Sequence, residues 1–188
     1  GQKEEYDIAN TFYSRIDSEL ERSKINNTQY IFVPGNHDCD FSIKEDEVIR
    51  KLIKESLLAG ESKINISMQK ILLKPQANFF EFVNNLSFTS DFKPTERLYK
   101  KHLIQNSNSK LKISINAINS SWLSEENEIY GSIFMPEEFI NGNNVFNETE
   151  ITISVLHHPF NWHKPDEGLK NFKRIMSFSN IILTGHEH

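Results

Sequence analysis

Three apolar runs in this chain each end in a short polar tip, and histidine is concentrated at those tips. Tyr30-Ile31-Phe32-Val33 leads through Pro34 into Gly35-Asn36-His37-Asp38. Ile151 to Leu156 leads into His157-His158-Pro159, and Ile181-Ile182-Leu183-Thr184 into Gly185-His186-Glu187-His188. Of the seven histidines, only His102 lies away from these tips or the residues just after them. Short apolar runs bounded by glycine or proline predict buried strands. In open α/β sheets, side chains at the carboxyl ends of such strands line one crevice. One His-x-His pair alone reads as a polar loop, whereas three tips after three strands predict a shared site.

The elements between the tips follow an α/β order. Residues 4–23 predict an amphipathic helix, with Tyr6, Ala9, Tyr13, Ile16 and Leu20 at helical spacing. A polar turn at Asn26-Asn27-Thr28 leads to a strand over 29–33. Ile43 to Leu58 reads as a charged helix, Ile64-Asn65-Ile66 as a short extended piece, and Gln76 to Leu86 as a helix with Phe79, Phe80, Phe82 and Val83 as its apolar content. That aromatic stretch is expected in the core rather than as a stacking platform. Residues 41–100 read either as a helical insertion capping the tips or as ordinary peripheral helices. Strands follow at 97–106 and 111–118, the second alternating through Leu111, Ile113, Ile115 and Ala117. Polar loops are expected at 124–131 and at Asn141-Gly142-Asn143-Asn144. A strand at 151–156, a helix from about Glu167 to Phe178 and a strand at 180–184 complete the order, an α/β architecture.

Composition narrows the chemistry. Fourteen Phe argue for a packed interior, and a net charge of −5 gives no general pull toward nucleic acid. The single cysteine, Cys39, excludes an intrachain disulfide and fits a reducing, cytoplasmic setting. It reads as a small, partly buried residue rather than a ligand or nucleophile. No signal peptide and no membrane-spanning stretch is present, and the Asn, Ile and Lys bias points to an AT-rich bacterial genome. Asn and His donors without thiolates favour Mn, Fe, Zn or Ni. A closely spaced pair of divalent ions also requires carboxylates, usually a bridging one, to offset their repulsion, and no bridging carboxylate is found beside these tips.

Gly35-Asn36-His37-Asp38, His157-His158-Pro159 and Gly185-His186-Glu187-His188, in that order, resemble the last three blocks of the calcineurin-like metallophosphoesterase signature. Phe32-Val33-Pro34, Asn119-Ser120 before an acidic loop, and Leu183-Thr184 are similar to bacterial members. The resemblance implies a metallophosphoesterase-type sandwich, two sheets packed face to face with helices outside, here as one partial domain over 1–188. It implies a hydrolase, a phosphodiesterase or phosphomonoesterase, that uses two divalent ions (Mn first, then Fe, Zn or Ni) and a metal-bridging hydroxide. Asn36, His157 and His186 would ligate one ion and His188 the other. His37 would contact the phosphate and protonate the leaving oxygen, with Asp38 orienting it. His158 and His163 read as solvated loop residues, with substrate contact as the alternative.

The family signature also begins with an Asp-x-His block and a Gly-Asp block, and neither pair of residues occurs in the chain. Gly1-Gln2-Lys3-Glu4-Glu5-Tyr6 looks like the stretch that follows the second block, which places both blocks upstream of Gly1 in a longer parent. The segment by itself is then expected to bind metal weakly and hydrolyse poorly. A non-catalytic scaffold, or a regulatory module of a larger multidomain protein, is the alternative function. The phosphoester substrate is not legible in the residues.

Overall fold

Alternating apolar residues form strands here wherever a neighbouring backbone is present to pair with. The protein's structure is a computed structural model that describes residues 1–25, 28–61, 63–86, 89, 91–105, 111–135 and 149–187. The Asn26-Asn27 turn, Asn106, the loop 141–144 and His188 lie outside the described residues. Four strands form one mixed sheet in the order β1-β2-β3-β4: β1 Tyr99–Gln105, β2 Lys112–Ile118, β3 Ile151–Leu156 and β4 Ile181–Thr184. β1 runs antiparallel to β2, while β2, β3 and β4 are parallel. Their carboxyl ends therefore share one edge.

Helices flank the sheet. They are α1 Lys3–Arg22, α2 Glu47–Leu58, α3 Ile66–Leu72, α4 Ala77–Asn85 and α5 Glu167–Phe178. Glu5 accepts the backbone N–H of Gln2 at 2.8 Å, which satisfies one free donor at the start of α1. Acidic Glu4 and Glu5 in the first turn and Arg22 in the last complement its dipole.

One core cluster joins Ile118 and Leu156 of the sheet to Phe172 and Ile175 of α5, Leu57, Leu72 and Leu73, and the buried Trp122. Ile118 and Leu156 are paired in register, so both leave the same face of the sheet. Fully burying side chains of this size stabilises by about 1.5–3 kcal/mol each. The opposite face, with Ile113, Ile115, Ile153 and Val155, is only half-buried. A second cluster joins Tyr6 of α1 to Phe79, Phe80, Phe82, Val83 and Phe92, so the aromatic stretch of α4 is core.

Two expectations change. Gln29 to Val33 is extended but belongs to no ladder among the described residues. Its aromatic side chains pack on α1 instead, with the Tyr13 ring 5.3 Å from those of Tyr30 and Phe32. Alternation prepares a segment for pairing but cannot supply the partner. Ile64-Asn65-Ile66 is a helix start rather than an extended piece, because the Asn65 side chain accepts the N–H of Met68 at 2.9 Å and caps α3. The mixed sheet flanked by helices is the α/β architecture expected of a partial domain, and it is the one sheet among the described residues.

Candidate metal centre

Register brings the tips together. Ile118 pairs with Leu156, and Leu156 with Thr184. The next residues, Asn119, His157 and Gly185, therefore leave the sheet side by side, and Gly185 N–H donates to the His157 carbonyl at 3.0 Å. Past Gly185 the chain turns sharply. His186 has φ +70°, a left-handed conformation that a residue with a Cβ adopts only under constraint. The constraint comes from Glu187, whose carboxylate accepts from Asn161 at 2.8 Å and from the Trp162 indole at 3.1 Å. The Trp162 ring lies against the His186 ring, with centroids 4.2 Å apart.

The turn bearing Asn36 does not come from the sheet and is docked onto it. Asn36–Asp38 is one 3₁₀ turn. The two oxygens of Asp38 accept the Gly35 N–H and the Tyr6 hydroxyl, each at 2.8 Å, which ties the turn to itself and to α1. A Cβ on Gly35 would stand 2.8 Å from the His157 ring, so the approach requires glycine. His37 is exposed.

Three donor atoms converge at this docking point. His157 Nε2 lies 2.9 Å from Asn36 Oδ1 and 2.9 Å from His186 Nδ1. First-row divalent ions hold nitrogen and oxygen donors at about 2.1 Å, so donors at right angles stand about 3 Å apart. A single ring nitrogen cannot serve an amide oxygen and another imidazole equally well, whereas a cation among the three satisfies them together. Burial, then the neighbouring His158 and His186, push the His157 pKa down to about 4, and burial also lowers that of His186. Both rings are therefore neutral at pH 7, as metal binding requires. The donor set fits a divalent cation.

Behind these donors is a second, fully buried group. His158 is 0% exposed. Its Nδ1 lies 3.0 Å from Ser120 Oγ and its Nε2 3.0 Å from Glu128 Oε2, while Ser120 Oγ also accepts the His158 N–H at 2.9 Å. Glu128 Oε2 is 3.9 Å from His186 Nε2. Burial raises the Glu128 carboxyl, but hydrogen bonding from His158 and Ser124, then the His158 and His186 imidazoles, hold it below the usual range. Its other oxygen, Oε1, is buried and meets full hydrogen-bond geometry with no partner among the described residues.

Glu128 is the residue that sequence reading overlooked. It sits in a polar loop, and the only signal was that loop's acidity; no spacing related it to the tips. The expectation of solvated loop residues, or substrate contacts, at His158 and His163 is corrected: both rings are buried, and His163 Nε2–H donates to the His158 carbonyl at 3.2 Å. Burial pushes the His163 pKa down to about 4. Cys39 is 6% exposed, with its thiol pushed up to about 12 by burial, as suits a core residue.

His157, His158 and His186 have ligand atoms within 4.8 Å of one another. Only His157 and His186 have nitrogens directed at the Asn36 oxygen or at each other, since both His158 nitrogens are already engaged. No curated protein and no solved structure matches the chain. The sequence profile described as calcineurin-like phosphoesterase does match, over residues 7–188, and spans all three histidine tips. A family whose members use divalent metals accounts for neutral nitrogen and amide donors gathered at the strand ends of an α/β sheet, and this chain belongs to the calcineurin-like phosphoesterase family.

Proposed function

We propose that the protein is a metal-dependent phosphoester hydrolase in which Asn36 Oδ1, His157 Nε2 and His186 Nδ1 hold one divalent cation and His188 helps hold a second. The observation that supports this reading most is the 2.9 Å approach of His157 Nε2 to both of its partners. When bound, such ions activate water and neutralise charge on the phosphoryl oxygens, with manganese the first candidate.

The remaining work falls to the chain's own residues. His37, exposed on the docked turn, contacts the phosphate and protonates the leaving oxygen. Asp38 holds the turn through Gly35 and Tyr6 and so sets where His37 stands. Residues 41–100 serve as the cap. Gln76 donates to the Ser121 carbonyl at 3.0 Å and accepts from Asn119 at 2.7 Å, Lys54 pairs with Glu125 at 2.8 Å, and a cavity of about 280 Å³ opens between Arg50, Lys51 and Lys54 and the loop 123–127. The substrate beyond its phosphoester group would lie there.

The test is hydrolysis of a chromogenic phosphodiester with added Mn²⁺, using the chain alone and the chain with an Asp-x-His and a Gly-Asp block joined ahead of Gly1. The expected result is weak turnover in the first and strong, metal-dependent turnover in the second. An inactive, metal-loaded extended protein would leave the scaffold reading in its place.

A further inference from the structure

Neutral donors leave a problem of charge. Asn36, His157 and His186 contribute none, so a cation among them would carry its full charge into a partly buried edge of the sheet. Among the described residues, Glu128 is the carboxylate within 4 Å of a ring of the donor set, its Oε2 3.9 Å from His186 Nε2, with His158 and Ser124 as its hydrogen-bonding neighbours. Its side chain is 5% exposed. An ionised carboxylate is removed from water at considerable cost unless it is paired. Among the described residues its hydrogen-bonded ring is His158, the next imidazole, at 3.9 Å, is His186, and Oε1 meets full hydrogen-bond geometry with no partner.

The same carboxylate controls geometry. The His158 ring touches both ligand rings, with its centroid 4.8 Å from that of His157 and 4.7 Å from that of His186. Glu128 and Ser120 clamp His158 at its two nitrogens, so neither the ring's rotation nor its flip is free. A wedge held in this way limits where the rings of His157 and His186 can go. Residues that orient metal ligands from behind commonly change metal affinity by 10–100-fold when removed.

We infer that Glu128 is a positioning residue of the metal centre: through His158 it sets the ligand rings of His157 and His186, and its charge offsets that of the cation they hold. This rests on the metal reading proposed above. Glu128 is not itself a ligand, because Oε2 is committed to His158 and stands 3.9 Å from the nearest ligand ring nitrogen.

Calorimetric titration with Mn²⁺ alone, on the whole 188-residue chain, tests the inference in wild type, Glu128→Gln and Glu128→Ala. Gln keeps the shape and an acceptor for His158 but removes the charge. The expected result is Mn²⁺ affinity at least tenfold lower in both variants, with the melting temperature of metal-free Glu128→Gln within a few degrees of wild type. In the metal-free chains, imidazole ¹H–¹⁵N spectra should show the His158 Nε2 proton shifted downfield in wild type and moved upfield in Glu128→Gln, with the His186 ring signals moving as well. Wild-type affinity in Glu128→Gln overturns the inference while leaving the metal reading intact. A wild-type chain that takes up no Mn²⁺, either alone or extended upstream, overturns both.

Discussion

The outer half of the histidine cluster (Asn36, His157 and His186) comes from the three tips, whereas its inner half (Ser120, Glu128 and His158) joins one tip to the chain after β2, and their polar atoms are satisfied differently. In the inner half both nitrogens of His158 are held by protein groups, and the ring is sealed from water. In the outer half the nitrogens of His157 and His186 and the oxygen of Asn36 are directed at one another, and the side chains are partly exposed. His157 and His158 are chain neighbours and differ only in the side of the strand end from which they leave. Identity and spacing therefore do not assign a histidine; the number of partners already committed to its nitrogens does.

That contrast can be broken most forcefully at the pair itself. His158→Ala removes the partner of a buried carboxylate and should cost about 3–5 kcal/mol, read by urea unfolding without metal. His157→Ala should cost about 1 kcal/mol or less in the same experiment, since its nitrogen is held only by other would-be ligands. Equal losses from the two would erase the distinction between the halves.

Acid should act next. The His163 pKa is lowered to about 4 in the folded chain, against the ordinary 6.5. Between those values the unfolded chain takes up a proton that the folded chain refuses. Stability should be flat above about pH 6.5 and fall as the pH drops toward 4, by about 3 kcal/mol from His163. His157, lowered likewise, adds to the fall in metal-free protein. Unfolding midpoints measured from pH 8 to pH 4 check this, and His163→Gln should flatten the curve. An unchanged slope in that variant would place the acid sensitivity elsewhere.

The outer half divides further. In the metal-loaded, upstream-extended protein, His37→Ala should cut turnover by about 10²-fold, or about 2.7 kcal/mol, with metal content intact. His186→Ala and Asn36→Ala should lower metal content itself, measured by elemental analysis after gel filtration. Loss of metal in His37→Ala would mean that His37 belongs with the ligands.

A smaller effect than those at His158, His163 and His37 is expected at Gly35. A methyl group there meets the His157 ring at 2.8 Å, so Gly35→Ala should push the docked turn away and cost about 1–2 kcal/mol of stability. Metal affinity should fall with it, whereas at Gly60, where a Cβ meets nothing, it should not change.

Much of the fold was legible. The strand at 151–156 and the helix from 167 to 178 have the bounds that their periodicity predicts, and the strands around 99–105, 112–118 and 181–184 differ by a residue or two. These segments carry their signal locally, as an apolar period of 2 or 3.6. The strand at 29–33 was misread because pairing is not local, and the start of α3 because one Asn side chain turned an extended piece into a cap. At the site, Asn36, His157 and His186 were legible from the tips. Glu128 was not, because a carboxylate in an acidic loop looks like any solvated charge until the loop folds back over His158.

By itself the sequence determined the family, the strand–tip pattern and which residues stand at the tips, since these depend on residue type and short-range spacing. The tertiary structure alone decided which of two adjacent histidines faces outward with its nitrogen available, that Asn36 reaches His157 across 121 positions of chain, and that a buried carboxylate holds His158 and stands 3.9 Å from His186. Those outcomes depend on strand register and on the docking of a turn and a loop onto the sheet edge. They are contacts between distant segments, whose geometry no local pattern encodes.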